Sequence, residues 1–217
     1  HPKEVVVEEP RRQAVHVAAD RDRFGADRKV FGVMPFTVKV ASQDTDGGML
    51  VIEQANAYRG GPPRHVHHDQ EEWFRVVEGR YAVEVDGTVH QLGPGDSVLA
   101  PRGVPHTWAL VGSGAGRMII AFQPAGRMEA FFAEASNMDG MGATDAMNAL
   151  FTAHGMTIVG PPLQVDDPAQ DSTQDPPRAD PDQTQDQTQV RARGLGQDPQ
   201  RPVERLRTRT RVRPWRS

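Results

Sequence analysis

His65-Val66-His67-His68-Asp69-Gln70-Glu71-Glu72 is the stretch on which the reading of this chain turns. Side chains alternate across a β-strand, so His65 and His67 point to one side of it. Glu72 then opens the apolar run Trp73-Phe74-Arg75-Val76-Val77, the pattern of a further strand, with Glu72, Phe74 and Val76 on a shared face. Downstream, Gly95-Asp96-Ser97-Val98-Leu99-Ala100-Pro101-Arg102-Gly103-Val104-Pro105-His106 delivers a third histidine at the start of another strand. His65, His67, Glu72 and His106 together make a ligand set for one divalent transition metal: iron, nickel, manganese, cobalt or copper. Glu72 can also leave a metal and accept a proton as general base. His68 faces away from His67, and Glu71 away from Glu72, so both read as outward-facing.

Strands continue on both sides of this stretch. Upstream, Lys29 to Ala41 reads as one strand region with Phe36, Val38 and Val40 on a face, and Met49 to Ala55 as the next. Arg59-Gly60-Gly61-Pro62-Pro63 breaks the pattern just before the histidines, where glycine allows unusual backbone angles and proline stiffens the chain after it. Downstream, Tyr81 to Val85 and Thr88 to Leu92 flank Asp86-Gly87, a strong two-residue hairpin signal. Ser97 to Ala100, the alternation His106/Trp108/Leu110 and the alternation Met118/Ile120/Phe122 complete the set. Short strands at such spacing predict an antiparallel barrel or sandwich. Phe74, Trp108 and Phe122 fall on the same interior as the ligands, where they fill the core or line a substrate pocket.

After Pro124 the apolar period lengthens to about 3.6 residues. Met128, Phe131, Phe132 and Ala135 form one helical stripe, and Met147, Leu150, Phe151 and His154 a second that Thr144 can cap and Gly155 ends. Both stripes are expected to pack on the barrel, with Met156 to Val159 returning as a strand. These segments make residues 1–163 one domain, a barrel at about 30–124 with a helical extension at 125–163. Residues 164–217 are expected to be a disordered tail, because they are poor in apolar groups. Val5-Val6-Val7 and Val15-His16-Val17 are candidate edge strands, the first a candidate exchange element of a homodimer.

Charge is unevenly spread. The net charge is −4 over 217 residues, made of −5 in residues 1–163, −6 in 164–190 and +7 in 191–217. A mildly acidic domain gives no reason to expect nucleic acid as a partner. There is no cysteine, which excludes disulfides and thiolate metal sites. No apolar run approaches the ~20 residues of a membrane helix, so no membrane association is expected. The sequence starts at His1 with no signal-peptide pattern; an initiator or leader is expected to precede it, and a cytoplasmic location is the default.

These motifs resemble those of the cupins. The first cupin motif, HxH, four residues, Glu, six residues, Gly, is matched by His65, His67, Glu72 and Gly79. The second, Gly, five residues, Pro-x-Gly, two residues, His, is matched by Gly95, Pro101, Gly103 and His106. One departure is Leu110, where the family often carries Asn. The resemblance implies a mainly β fold, a jelly-roll barrel with two C-terminal α-helices. Pro63-Arg64-His65-Val66-His67-His68 through Glu78-Gly79, with the closing Gly160-Pro161-Pro162-Leu163, is most similar to the quercetin dioxygenase-like branch. For that branch the resemblance implies a flavonol chelated through its 3-hydroxyl, Glu72 taking its proton, and ring cleavage by dioxygen with loss of carbon monoxide. Two alternatives stand beside it: a cupin isomerase or decarboxylase acting on a sugar or small acid, and a non-catalytic metal- or ligand-binding cupin.

Overall fold

The structure, a computed structural model, describes residues 13–138, 140 and 144–165. The chain divides into two units, 1–172 and 173–217, and all described residues belong to the first. Val5-Val6-Val7 and almost all of the expected tail lie outside the described residues.

Eleven strands and two helices follow one another among the described residues. The strands are β1 (Arg28–Val30), β2 (Met34–Val40), β3 (Leu50–Asn56), β4 (Pro63–His67), β5 (Glu71–Glu78) and β6 (Tyr81–Val85). After these come β7 (Thr88–Leu92), β8 (Ser97–Ala100), β9 (His106–Leu110) and β10 (Gly116–Gln123). Helices α1 (Met128–Ala135) and α2 (Thr144–Ala153) precede β11 (Met156–Pro162). One antiparallel sheet has the order β1-β2-β3-β10-β5-β8, the other β11-β4-β9-β6-β7. Within them, β3-β10-β5-β8 and β4-β9-β6-β7 are the two facing four-stranded sets whose order is that of a jelly roll.

Alternation explains how two sheets share one core. Leu50, Ile52, Gln54 and Asn56 of β3 are buried while the residues between them are half-exposed, and Met118, Ile120 and Phe122 of β10 follow the same rule. The β6–β7 hairpin pairs Tyr81 with Leu92 and Val85 with Thr88 around Asp86-Gly87, as the turn signal predicts. Met128, Phe131, Phe132 and Ala135 are the buried residues of α1; Met147, Leu150 and Phe151 are those of α2. The two periodicities therefore bury the faces expected of them. Gly160-Pro161-Pro162 lies on β11, an edge strand paired only with β4, where proline's missing N–H costs no ladder bond on the open side.

Two expectations are corrected. Lys29 to Ala41 is two strands, because the chain turns at Phe31-Gly32-Val33 and folds β1 back on β2, Arg28 opposite Phe36. Phe31 adopts φ 52° there and its ring is buried, so the turn sends a core side chain inward instead of out to solvent. Val15-His16-Val17 forms no strand. Nearby, Asp22 anchors the segment to β2: its carboxylate accepts hydrogen bonds from the backbone N–H of Phe24 (2.8 Å) and Val38 (2.8 Å), and from Arg28 Nε (3.0 Å). His154, on the same apolar stripe as Leu150 and Phe151, is buried just past the end of α2, with Nδ1 2.9 Å from the Leu150 carbonyl.

Candidate metal centre

Both sheets contribute to the site. β4 supplies His65 and His67 and β9 supplies His106, whose backbone is in register with His65; β5, in the other sheet, supplies Glu72. Two features hold β4 against β9. Gly60 and Leu110 exchange backbone hydrogen bonds at 3.1 Å each, so Leu110 closes this strand end through its main chain. At Gly61 a Cβ would stand 1.7 Å from the Trp108 carbonyl oxygen, so only glycine lets the chain pass. The two motifs are also joined directly, the Gly103 N–H donating to the His67 carbonyl at 2.7 Å.

The four expected ligands converge. All are buried, and one donor atom from each lies within 4.8 Å of every other. Glu72 Oε2 is the centre of the group, 2.9 Å from His106 Nε2, 3.1 Å from His67 Nε2 and 3.9 Å from His65 Nε2. Each ring is held from behind at Nδ1: His65 by the Pro63 carbonyl (2.8 Å), His67 by Gln70 Oε1 (3.2 Å), His106 by the Val104 carbonyl (2.9 Å). Those partners are acceptors, so each Nδ1 carries a proton and each Nε2 faces inward, where it would present a lone pair to a bound metal; without one, His106 Nε2 hydrogen-bonds Glu72. The Nε2 of His67 is buried and makes no hydrogen bond, its approach to Glu72 being off-angle. Three imidazole nitrogens gathered on one carboxylate oxygen, one of them hydrogen-bonded to it and one buried without a hydrogen bond, form a donor set that a divalent metal ion fits.

Charge in the site follows from the same contacts. Burial and the neighbouring imidazoles push His65 down to about 3, leaving it neutral. Burial alone would raise Glu72, but the hydrogen bond from His106 and the close approach of the His67 ring outweigh it and hold the carboxyl far below its usual range. Burial would lower His106, yet the Glu72 hydrogen bond and charge win and raise it. Glu72 is thus an anion at neutral pH, ready as a ligand or as a base.

A cavity of about 60 Å³ adjoins three of the four groups. His65, His67 and Glu72 reach it, and most of its wall is apolar and aromatic, including Trp108, Phe122, Phe131, Phe132 and Phe151. No lysine or arginine lines it. Phe74 is buried behind His106, ring centroids 6.2 Å apart, and does not line this cavity, whereas Trp108 and Phe122 do. The helices do more than fill the core: Phe151 lies edge-on to His65 at 5.4 Å and to Phe131 at 5.2 Å, and both phenylalanines line the cavity. Sites for drug-sized molecules occupy about 300–1,000 Å³, so a molecule of that size enters only when these rings turn aside. Outside the cavity, His68 is exposed and reaches Thr157 Oγ1 (2.9 Å), and Glu71 pairs with Arg102 (2.6 Å). His16 and His90 are exposed.

Sequence reading missed two residues. Gln70 fixes the His67 ring; a side chain three residues past a ligand, in the turn between two motif strands, was the signal. Gln54, inward on β3 among apolar neighbours, lines the cavity; its even spacing from Leu50 and Ile52 marked it.

Comparison with known proteins agrees with this geometry. The cupin domain family matches residues 56–122, which include all four candidate ligands. An oxidoreductase, OpS7, of Beauveria bassiana is 41% identical over 59 residues, 27% of this chain and 19% of that protein. Quercetin 2,3-dioxygenase of Bacillus subtilis is 29% identical over 84 residues, 39% of this chain and 25% of that protein. The matched parts thus span at most a quarter of these relatives' length. An RmlC-like cupin from Shewanella frigidimarina is 21% identical, with a TM-score of 0.41, over 53% of this chain and 96% of that one. No helix among the described residues is long and apolar enough to cross a membrane. With both motifs intact, the jelly-roll strand order and the family match, residues 56–122 are a cupin domain.

Proposed function

We propose that this cupin is a metal-dependent dioxygenase acting on a flat aromatic molecule that carries an acidic enol hydroxyl, as a flavonol does. The observation that carries the reading is the cavity wall: apolar and aromatic, free of lysine and arginine, beside a cluster of three imidazoles and one carboxylate. A dicarboxylate or phosphate would find no counter-charge in that wall, whereas a flat apolar molecule finds rings to pack on. His65, His67 and His106 through Nε2, with Glu72 through Oε2, are the residues that would hold the metal. A bound divalent ion supplies a net positive charge that favours the deprotonated form of a coordinated hydroxyl. Glu72, anionic at neutral pH, accepts the hydroxyl proton at a carboxylate oxygen. Trp108 and Phe122 orient the ring system, and the α1–α2 aromatic side chains exclude water once it is seated.

The 29% identity to a quercetin 2,3-dioxygenase, although over a quarter of that protein, supports the same substrate class. The test is oxygen uptake and carbon monoxide release by cobalt-, nickel-, iron-, manganese- or copper-loaded protein given quercetin. Uptake that stops in the Glu72→Gln variant is expected. No uptake with any metal and any flavonol would overturn the reading in favour of a binding module.

A further inference from the structure

One polar side chain of the cavity has no part in the chemistry above. Gln54 is 3% exposed, points inward from β3 and lines the same cavity as Glu72. Its partner among the described residues is Met34 Sδ, to which Nε2 donates at 3.5 Å; a thioether is a weak acceptor. The next inward residue on that strand is differently placed: Asn56 Oδ1 accepts from Tyr81 Oη at 2.9 Å, a full bond in the core. An amide buried with so poor a partner is under-satisfied, a cost that ligand binding would offset.

Its position sets what it can reach. Gln54 is in register with Met118, and Met118 with Val76, so Gln54 lies two strands across from β5 and level with Val76. Glu72 is four residues back along β5, a separation of roughly 14 Å along the strands and about 10 Å across them. The cavity therefore has a charged end, at the histidines and Glu72, and a neutral polar end, at Gln54, with aromatic wall between.

We propose that Gln54 is the distal recognition residue of the site, its amide hydrogen-bonding a hydroxyl or carbonyl on the substrate's far end while the near-end enol sits at the histidines and Glu72. A carboxamide donates and accepts at once, which suits a phenolic hydroxyl, and it carries no charge to attract an acid. Gln54 is a specificity residue in this account, not a catalytic one, and the assignment rests on the flavonol reading given above.

The experiment uses the full chain loaded with cobalt, its stoichiometry confirmed, and two probes measured by titration calorimetry. 3-Hydroxyflavone has the chelating end alone; quercetin has the same end plus further hydroxyls. Wild type should prefer quercetin by about fivefold or more, the worth of one or two neutral hydrogen bonds. Gln54→Leu should abolish that preference, leave 3-hydroxyflavone affinity within about twofold, and melt no lower than wild type. Gln54→Glu, which keeps the acceptor and adds charge, should restore part of it at most. An unchanged preference in Gln54→Leu, or equal affinity of wild type for both probes, overturns the assignment of Gln54 while sparing the flavonol reading. A fall in affinity for both probes by the same factor, with a lower melting temperature, means a structural role and overturns it too. Failure of wild type to bind either probe overturns both.

Discussion

Glu72 Oε2 and His106 Nε2 stand 2.9 Å apart although their strands, β5 and β9, belong to different sheets. A metal taken up there ties one sheet to the other, so binding and folding are coupled. Adding cobalt at a hundred times its dissociation constant should stabilise the protein by about 2.7 kcal/mol, read as a rise in melting temperature. His106→Ala should lose most of the metal and the rise with it. Glu72→Gln should retain metal weakly and lose base function. Full metal stoichiometry in His106→Ala would remove His106 from the ligand set.

Gln70 is the test of how the rings are aimed. Its Oε1 lies 3.2 Å from His67 Nδ1, and Gly126 passes so close that a Cβ there would meet the Gln70 amide at 1.9 Å, so the side chain has little room to move. Gln70→Leu should weaken metal affinity by about 10–100-fold while all four ligands remain, measured by competition with a chelating dye. Unchanged affinity would show that His67 is aimed by its strand alone.

Phe151 lines the cavity beside His65. Phe151→Ala should cost about 3–5 kcal/mol in denaturant unfolding, because a large ring leaves a packed core. It should also speed the binding of quercetin to cobalt-loaded protein, followed by stopped-flow absorbance. If the association rate stayed the same, these helices would not be the barrier to entry.

The ligand set was legible in the chain because both sheets carry local motifs: His65 and His67 share a strand face, and each motif brings its own turn glycine. The hairpin at Asp86-Gly87 and both helical stripes were legible for the same reason, their periodicity lying within a single element. What escaped depends on partners remote in sequence. Phe31 at a positive φ is buried only because its turn packs under the helices, its N–H donating to the Ala135 carbonyl at 3.0 Å. Phe74 shares a strand face with Glu72, yet only the assembled sheets show it behind His106 and not in the cavity wall.

Asp22 gives a pH-dependent expectation. Burial would raise its pKa, but the Val38 and Phe24 amides and the Arg28 guanidinium outweigh that and hold it below its ordinary value. A carboxyl lowered in the folded state stabilises fully above its unfolded pKa, about 3.9, and less as pH falls through the folded value. Asp22→Asn should therefore destabilise by roughly 2 kcal/mol at pH 7 and approach wild type as pH falls below the ordinary carboxyl range, in unfolding curves from neutral to acid pH. A constant difference at every pH would mean that the carboxylate charge is irrelevant there.

The close passage of Gly61 beneath the Trp108 carbonyl reaches beyond steric fit. It clamps the backbone bearing His65 to the backbone bearing His106 before any ion arrives, so the imidazoles need little reordering to coordinate one. Capture then proceeds with small entropic loss, and discrimination among ions falls to the donor atoms and the rigidity of their spacing. A mutational library that varied position 61 would alter metal preference without touching a single ligand.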